Sequence, residues 1–214
     1  HTRSLCDWSS DVCSSDLTRT HTCTHHATPV FSPRSRAELK GTVDACLKLF
    51  PKGGCSSGPH GRIGAWHVSR VTDMSRMFSD AKLFHGDLAK WDVSNVRDMS
   101  GMFHSAKSFN RDLSKWDVSS ATKMPEMFRS ASSFNSDISH WDVSSVSNMD
   151  SMFQGASMFT RKLCGAAWVH SKARKEVMFE GSPGSISRTV CTTTTSLFSP
   201  GSRQELKDAV EIGR

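Results

Sequence analysis

KWDVSNVRDMSGMFHSAKSFNRDLSK, residues 90–115, is one pass of a motif that returns every 25 residues. Residues 65–90 read AWHVSRVTDMSRMFSDAKLFHGDLAK, residues 115–140 read KWDVSSATKMPEMFRSASSFNSDISH, and residues 140–165 read HWDVSSVSNMDSMFQGASMFTRKLCG. In register, Trp66, Trp91, Trp116 and Trp141 form one column. Met74, Met99, Met124 and Met149 form a second, and Met77, Met102, Met127 and Met152 a third, so eight of the ten methionines fall in two columns. Phenylalanine fills two more, one starting at Phe78 and the other at Phe84. A fixed period of about 20 to 50 residues is the signature of a solenoid, whose units bury their apolar faces against one another. Apolar residues repeated identically in every unit read as core rather than as a cofactor site.

Within one unit, Val71, Met74, Met77, Phe78 and Ala81 recur at helical steps and predict a short helix of about two to three turns. Leu88, Trp91 and Val93 predict a short strand. The expected fold class is therefore an α/β repeat: about four 25-residue units with short parallel strands and short helices, stacked roughly 4.8 Å per layer.

The pattern WDVSxVxxMxxMFxxAxxFNxD(L/I)S resembles the BspA-like leucine-rich-repeat surface proteins, a group that includes mycoplasma lipoproteins and long algal arrays. The resemblance covers residues 65–165. It implies a right-handed, leucine-rich-repeat-like solenoid displayed on a cell surface for binding or adhesion, without catalytic activity. His67 in place of Asp, Thr160 and Lys162 in place of Asn and Asp, and Pro125 inside the third unit depart from the pattern. Atypical outer units are usual at the ends of repeat arrays.

A longer period encloses the short one. FSPRSRAELKGTV at residues 31–43 returns as FSPGSRQELKDAV at residues 198–210, with nine of thirteen positions identical. Ser35 with Glu38, and Ser202 with Glu205, have capping-box spacing, so each copy predicts a helix start. Leu39, Val43, Cys46 and Phe50 share one face of the first helix, which is expected to cap the open first unit. Residues 18–64 thus read as linker and capping helix, 65–165 as the four-unit solenoid, 166–191 as a C-terminal closing segment, and 192–214 as linker and start of a second super-unit. Residues 1–17 are expected to lie outside the fold, because DWSSDVCSSDL is the translation of a sequencing-library adapter.

Setting those seventeen residues aside leaves 26 basic and 18 acidic residues, a net charge near +8 against +6 for the whole chain. Five cysteines remain. Cys46 with Cys55, and Cys164 with Cys191, bracket the two ends of the repeats and are candidate disulfides, which favour an extracellular setting; free buried thiols are the alternative. The partner of Cys23 would belong to an upstream super-unit. His21, Cys23, His25 and His26 carry ligand atoms without completing a four-ligand set, so no metal or cofactor is expected there. Two aspartate columns, Asp87, Asp112, Asp137 and Asp92, Asp117, Asp142, read as turn acceptors in preference to Ca²⁺ ligands.

No catalytic motif is present in the sequence, and a residue repeated in every unit suits catalysis poorly. Basic residues are dispersed rather than gathered into a nucleic-acid-binding face, and no apolar run approaches the length of a membrane span. Side chains that vary between units face outward in a solenoid. Lys90, Lys115 and His140 form the candidate ridge for a macromolecular ligand, either a protein or an acidic cell-surface or matrix polymer. The functional expectation is an extracellular interaction or adhesion module, with a structural wall or matrix array and a cytosolic scaffold as alternatives.

Overall fold

The computed structural model describes residues 30–191. The readings made for residues 1–17, for His21, Cys23, His25 and His26, and for the second super-unit at 192–214 lie outside the described residues. In chain order the elements are helix α1 (Arg36–Leu49), a 3-10 turn (Ile63–Ala65), strand β1 (Lys162–Leu163), helix α2 (Ala166–Val169) and strand β2 (Ser185–Ile186).

Helix α1 starts where the capping box places it. The Ser35 hydroxyl accepts the Glu38 amide at 3.2 Å, and the Glu38 carboxylate reaches back to accept the Arg34 amide at 2.8 Å. These bonds satisfy amides that a helix start otherwise leaves orphaned. Leu39, Val43 and Cys46 are buried and join the main core. The Arg36 guanidinium donates to the Ser75 carbonyl at 2.8 Å, which pins the helix to the first repeat unit.

Successive units lie on one another as layers. Parallel bridges run Asp73 to Asp98, Asp98 to Lys123, Lys123 to Asn148 and Asn148 to Arg174. The amides of Met74, Arg76, Phe78 and Asp80 donate across to the carbonyls of Asp98, Ser100, Met102 and His104 at 2.8–2.9 Å. The amides between them stay inside the layer: Met77, Ser79 and Ala81 donate to Met74, Arg76 and Phe78.

That alternation corrects the expectation of one short helix per unit. An α-helix would commit every amide to the carbonyl four residues earlier, leaving none for the neighbouring layer. The Val71–Ala81 stretch instead coils through tight turns with left-handed residues at Arg76 (φ 53°) and Asp80 (φ 60°), and the third unit repeats this at Glu126 and Ser130. Its three-and-four spacing still marks one buried face, because turns and helices both bring such residues to the same side. The strand expected at Leu88–Val93 is also absent. There the Trp91 amide closes a turn onto the Leu88 carbonyl at 2.9 Å, and the interlayer ladder runs through the Asp73 column.

The core is a set of ring stacks. Phe78, Phe103, Phe128, Phe153 and Phe179 lie nearly parallel with centroids 5.4–5.7 Å apart. The second column, Phe84 to Phe159, packs beside the first at 3.8–4.3 Å within each layer. The indole N–H of Trp91, Trp116 and Trp141 donates to the carbonyls of Ile63, Leu88 and Leu113 at 2.8–3.0 Å, stitching each layer to the one below. Gly53 and Gly184 close the two ends of the second phenylalanine column; a Cβ on either would collide with the Phe84 or Phe159 ring.

Residues 166–191 are more than a closing segment, and the expected count of four units becomes five layers. Met149, Ser151, Phe153 and Gly155 donate their amides to Arg174, Glu176, Met178 and Glu180 at 2.7–2.9 Å, continuing the interlayer ladder. Trp168 continues the tryptophan column and bonds the Ile138 carbonyl at 3.0 Å. β1 and β2 pair in parallel, Lys162 with Ser185 and Leu163 with Ile186. The signal was present in MFEG at 178–181, which mirrors MFQG at 152–155 with a spacing of 26.

Two stability predictions follow from these contacts. Trp116 is 4 % exposed, and Trp116→Ala should destabilise by about 3 to 5 kcal/mol in chemical denaturation; a midpoint equal to wild type would refute the stacked core. Val177 is a β-branched residue held at φ 47° and half exposed, so Val177→Gly should stabilise by about 1 kcal/mol. A lower melting temperature for that variant would contradict the strain assigned to it.

Candidate interaction surface

The ridge residues Lys90, Lys115 and His140 are all exposed, immediately before Trp91, Trp116 and Trp141. Carboxylates flank them on both sides. Asp87, Asp112 and Asp137 lie three residues before each of them, and Asp92, Asp117 and Asp142 two residues after. Each aspartate closes an Asx turn: the amides of Ala89, Ser114 and Ser139 donate to the first set, and those of Ser94, Ser119 and Ser144 to the second, at 2.9–3.1 Å. The turn-acceptor reading describes these side chains, and no group of three potential ligands able to hold a metal occurs among the described residues. Asn110 and Asn135 act differently from these aspartates. Each accepts an amide of the next layer, Asn135 at 2.9 Å and Thr160 at 3.1 Å.

These bonds favour the ionised carboxylates. The Ser114 and Ser139 amides hold Asp112 and Asp137 below the ordinary carboxylate range, while the Ser119 and Ser144 hydroxyls do most of the same for Asp117 and Asp142. The Lys115 charge adds a smaller lowering at Asp112. At the far end the Arg174 guanidinium lowers Asp150, with which it forms an ion pair. The ridge is thus a striped face of alternating sign, not a positive track.

The cations gather elsewhere. A groove of about 530 Å³ lies between the loop after α1 and the first two layers, and Lys52, Arg62, Lys90, Arg111, His85 and Asp87 line it. Sequence reasoning missed it because the loop and the layers are distant in the chain, and only Lys90 belongs to both groove and ridge. A second cavity of about 280 Å³ lies beside the C-terminal half of α1, against Leu49, Phe50, Pro59 and Trp66.

Cys46 is joined to Cys55 and Cys164 to Cys191, with Cα atoms 5.7 Å and 5.1 Å apart. One bridge ties the C-terminal turn of α1 to its following loop. The other spans the fifth layer. No helix among the described residues is long and apolar enough to cross a membrane.

Residues 50–183 match the family described as mycoplasma protein of unknown function, DUF285. The chain belongs to the DUF285 family. The match begins just after α1 ends and runs into the fifth layer, so the matched segment comprises the loop and the layers without the capping helix. No curated protein and no solved structure matches the chain.

Two further outcomes are expected. The depressed aspartates add stability that is fully present above the ordinary aspartate value of 3.8 and is lost as pH falls below it through their folded values. Melting temperature should therefore hold from neutrality to about pH 4 and then drop, less steeply in Asp117→Asn; an unchanged slope in that variant would remove Asp117 from the effect. Replacing Cys164 and Cys191 by Ser opens a bridge across 27 positions and should lower unfolding free energy by about 2 to 4 kcal/mol in denaturant titration, whereas an unaltered midpoint would deny the bridge a stabilising role.

Proposed function

We propose that this DUF285 chain is a non-catalytic, extracellular interaction module built as a leucine-rich-repeat-like solenoid. The single observation that carries this reading is the division of labour between columns. Residues common to all layers are consumed by the core, the interlayer ladder and the Asx turns, while exposed positions change from layer to layer. Such a face can vary without disturbing the stack. Membership of a mycoplasma family and the two disulfides support a surface setting, as does the resemblance to BspA-like proteins.

The ligand is macromolecular and touches the Lys90, Lys115 and His140 ridge. The reading is tested by binding of the full chain to intact cells and extracellular matrix. Lys90→Glu with Lys115→Glu should leave the melting temperature unchanged and weaken binding, more so at low salt, where the Debye length exceeds about 8 Å. Binding unaffected by this pair at every salt concentration would move the structural-array alternative ahead.

A further inference from the structure

We propose that the groove between the α1 loop and the first two layers binds an anionic polysaccharide, carboxylated or sulfated. This names the ligand class for the interaction module and rests on that reading. Four basic side chains, Lys52, Arg62, Lys90 and Arg111, face a single carboxylate, Asp87, whose oxygen already accepts the Ala89 amide at 3.0 Å. Among the described residues Lys52, Arg62 and Lys90 enter no ion pair. Arg111 is held in place by donating through Nε to the His85 carbonyl at 2.5 Å, with Nη2 3.2 Å from His85 Nδ1, which leaves Nη1 to meet a carboxylate or sulfate.

The floor of the groove selects among anions. Gly53, Gly64 and Gly86 line it where a Cβ would strike Phe84 or the Asp87 carbonyl, so no side chain can stand at these positions. A peptide would need a desolvated apolar anchor site. Ile63, the largest aliphatic side chain in the lining, is 2 % exposed and supplies none. The striped ridge beyond Lys90 pairs each cation with carboxylates on both sides, so polyanion attraction is concentrated in the groove.

The test uses the full chain against an immobilised sulfated polysaccharide and an immobilised polyuronate, with neutral dextran and polyglutamate alongside. Lys52→Glu combined with Arg62→Glu alters two exposed side chains outside the core. Lys162→Glu combined with Lys172→Glu makes the same charge change at the far end of the stack. The groove pair should weaken polysaccharide binding roughly tenfold at low salt and the distal pair less than about twofold. Equal losses in both pairs would overturn the site in favour of diffuse attraction, and tighter binding of polyglutamate than of either polysaccharide would overturn the ligand class. Wild-type chain that binds no polyanion would sink the groove proposal alone; the module reading falls only if the ridge pair also leaves binding to cells and matrix unchanged.

Discussion

Every layer of this protein must share its backbone hydrogen bonds between itself and the next layer, and most of the structure follows from that constraint. Alternate amides from Met74 to Asp80 point across the stack and those between them point back along the chain. A backbone that does both cannot be a helix, whose donors all point along one axis, nor a regular strand, whose donors are not folded back on their own turn. The conformation that meets the requirement places residues such as Arg76 and Asp80 in the left-handed region, where a side chain carries strain. Five ring-stacked layers offset that strain through burial of the same tryptophan, methionine and phenylalanine columns.

The sequence displayed the period, the buried columns and the cap far better than it displayed the backbone. Column identity depends only on which residues face inward, and Trp91, Met99, Met102 and Phe103 face inward whatever path the chain takes between them. The three-and-four spacing is common to a helix and a series of tight turns, so it could not choose between them. Choosing needed the interlayer partners, and those lie 24 residues away: the Met74 amide meets Asp98. The fifth layer was hidden for another reason. Its spacing stretches to 26 between Met152 and Met178 and to 27 between Trp141 and Trp168, which throws it out of a strict 25-residue register while the ladder bonds persist.

Charge on this molecule is organised by the same turns. The WD dipeptide puts an aspartate after Trp91, Trp116 and Trp141, where a carboxylate holds the next bend, as Asp92 and Asp117 do for Ser94 and Ser119. Lys90 and Lys115, which precede Trp91 and Trp116, are therefore each accompanied by acid on both sides in the chain. Where the repeat meets the non-repeating loop, Lys52 and Arg62 add cations without such neighbours. The boundary of the array is thus the place where a field of one sign arises.

The positions of the two disulfides bear on how the stack responds to mechanical load. A chain pulled by its termini would ordinarily peel from its last layer, where neighbours exist on one side alone. The Cys164–Cys191 bridge carries tension directly across the 27 positions it spans, so the fifth layer is bypassed rather than unwound. Cys46 and Cys55 bypass the end of α1 and the start of its loop at the other end. Extension must then come from the interior layers between Cys55 and Cys164, where the tryptophan stitches and both phenylalanine columns resist it together. A stack assembled this way would yield abruptly instead of fraying.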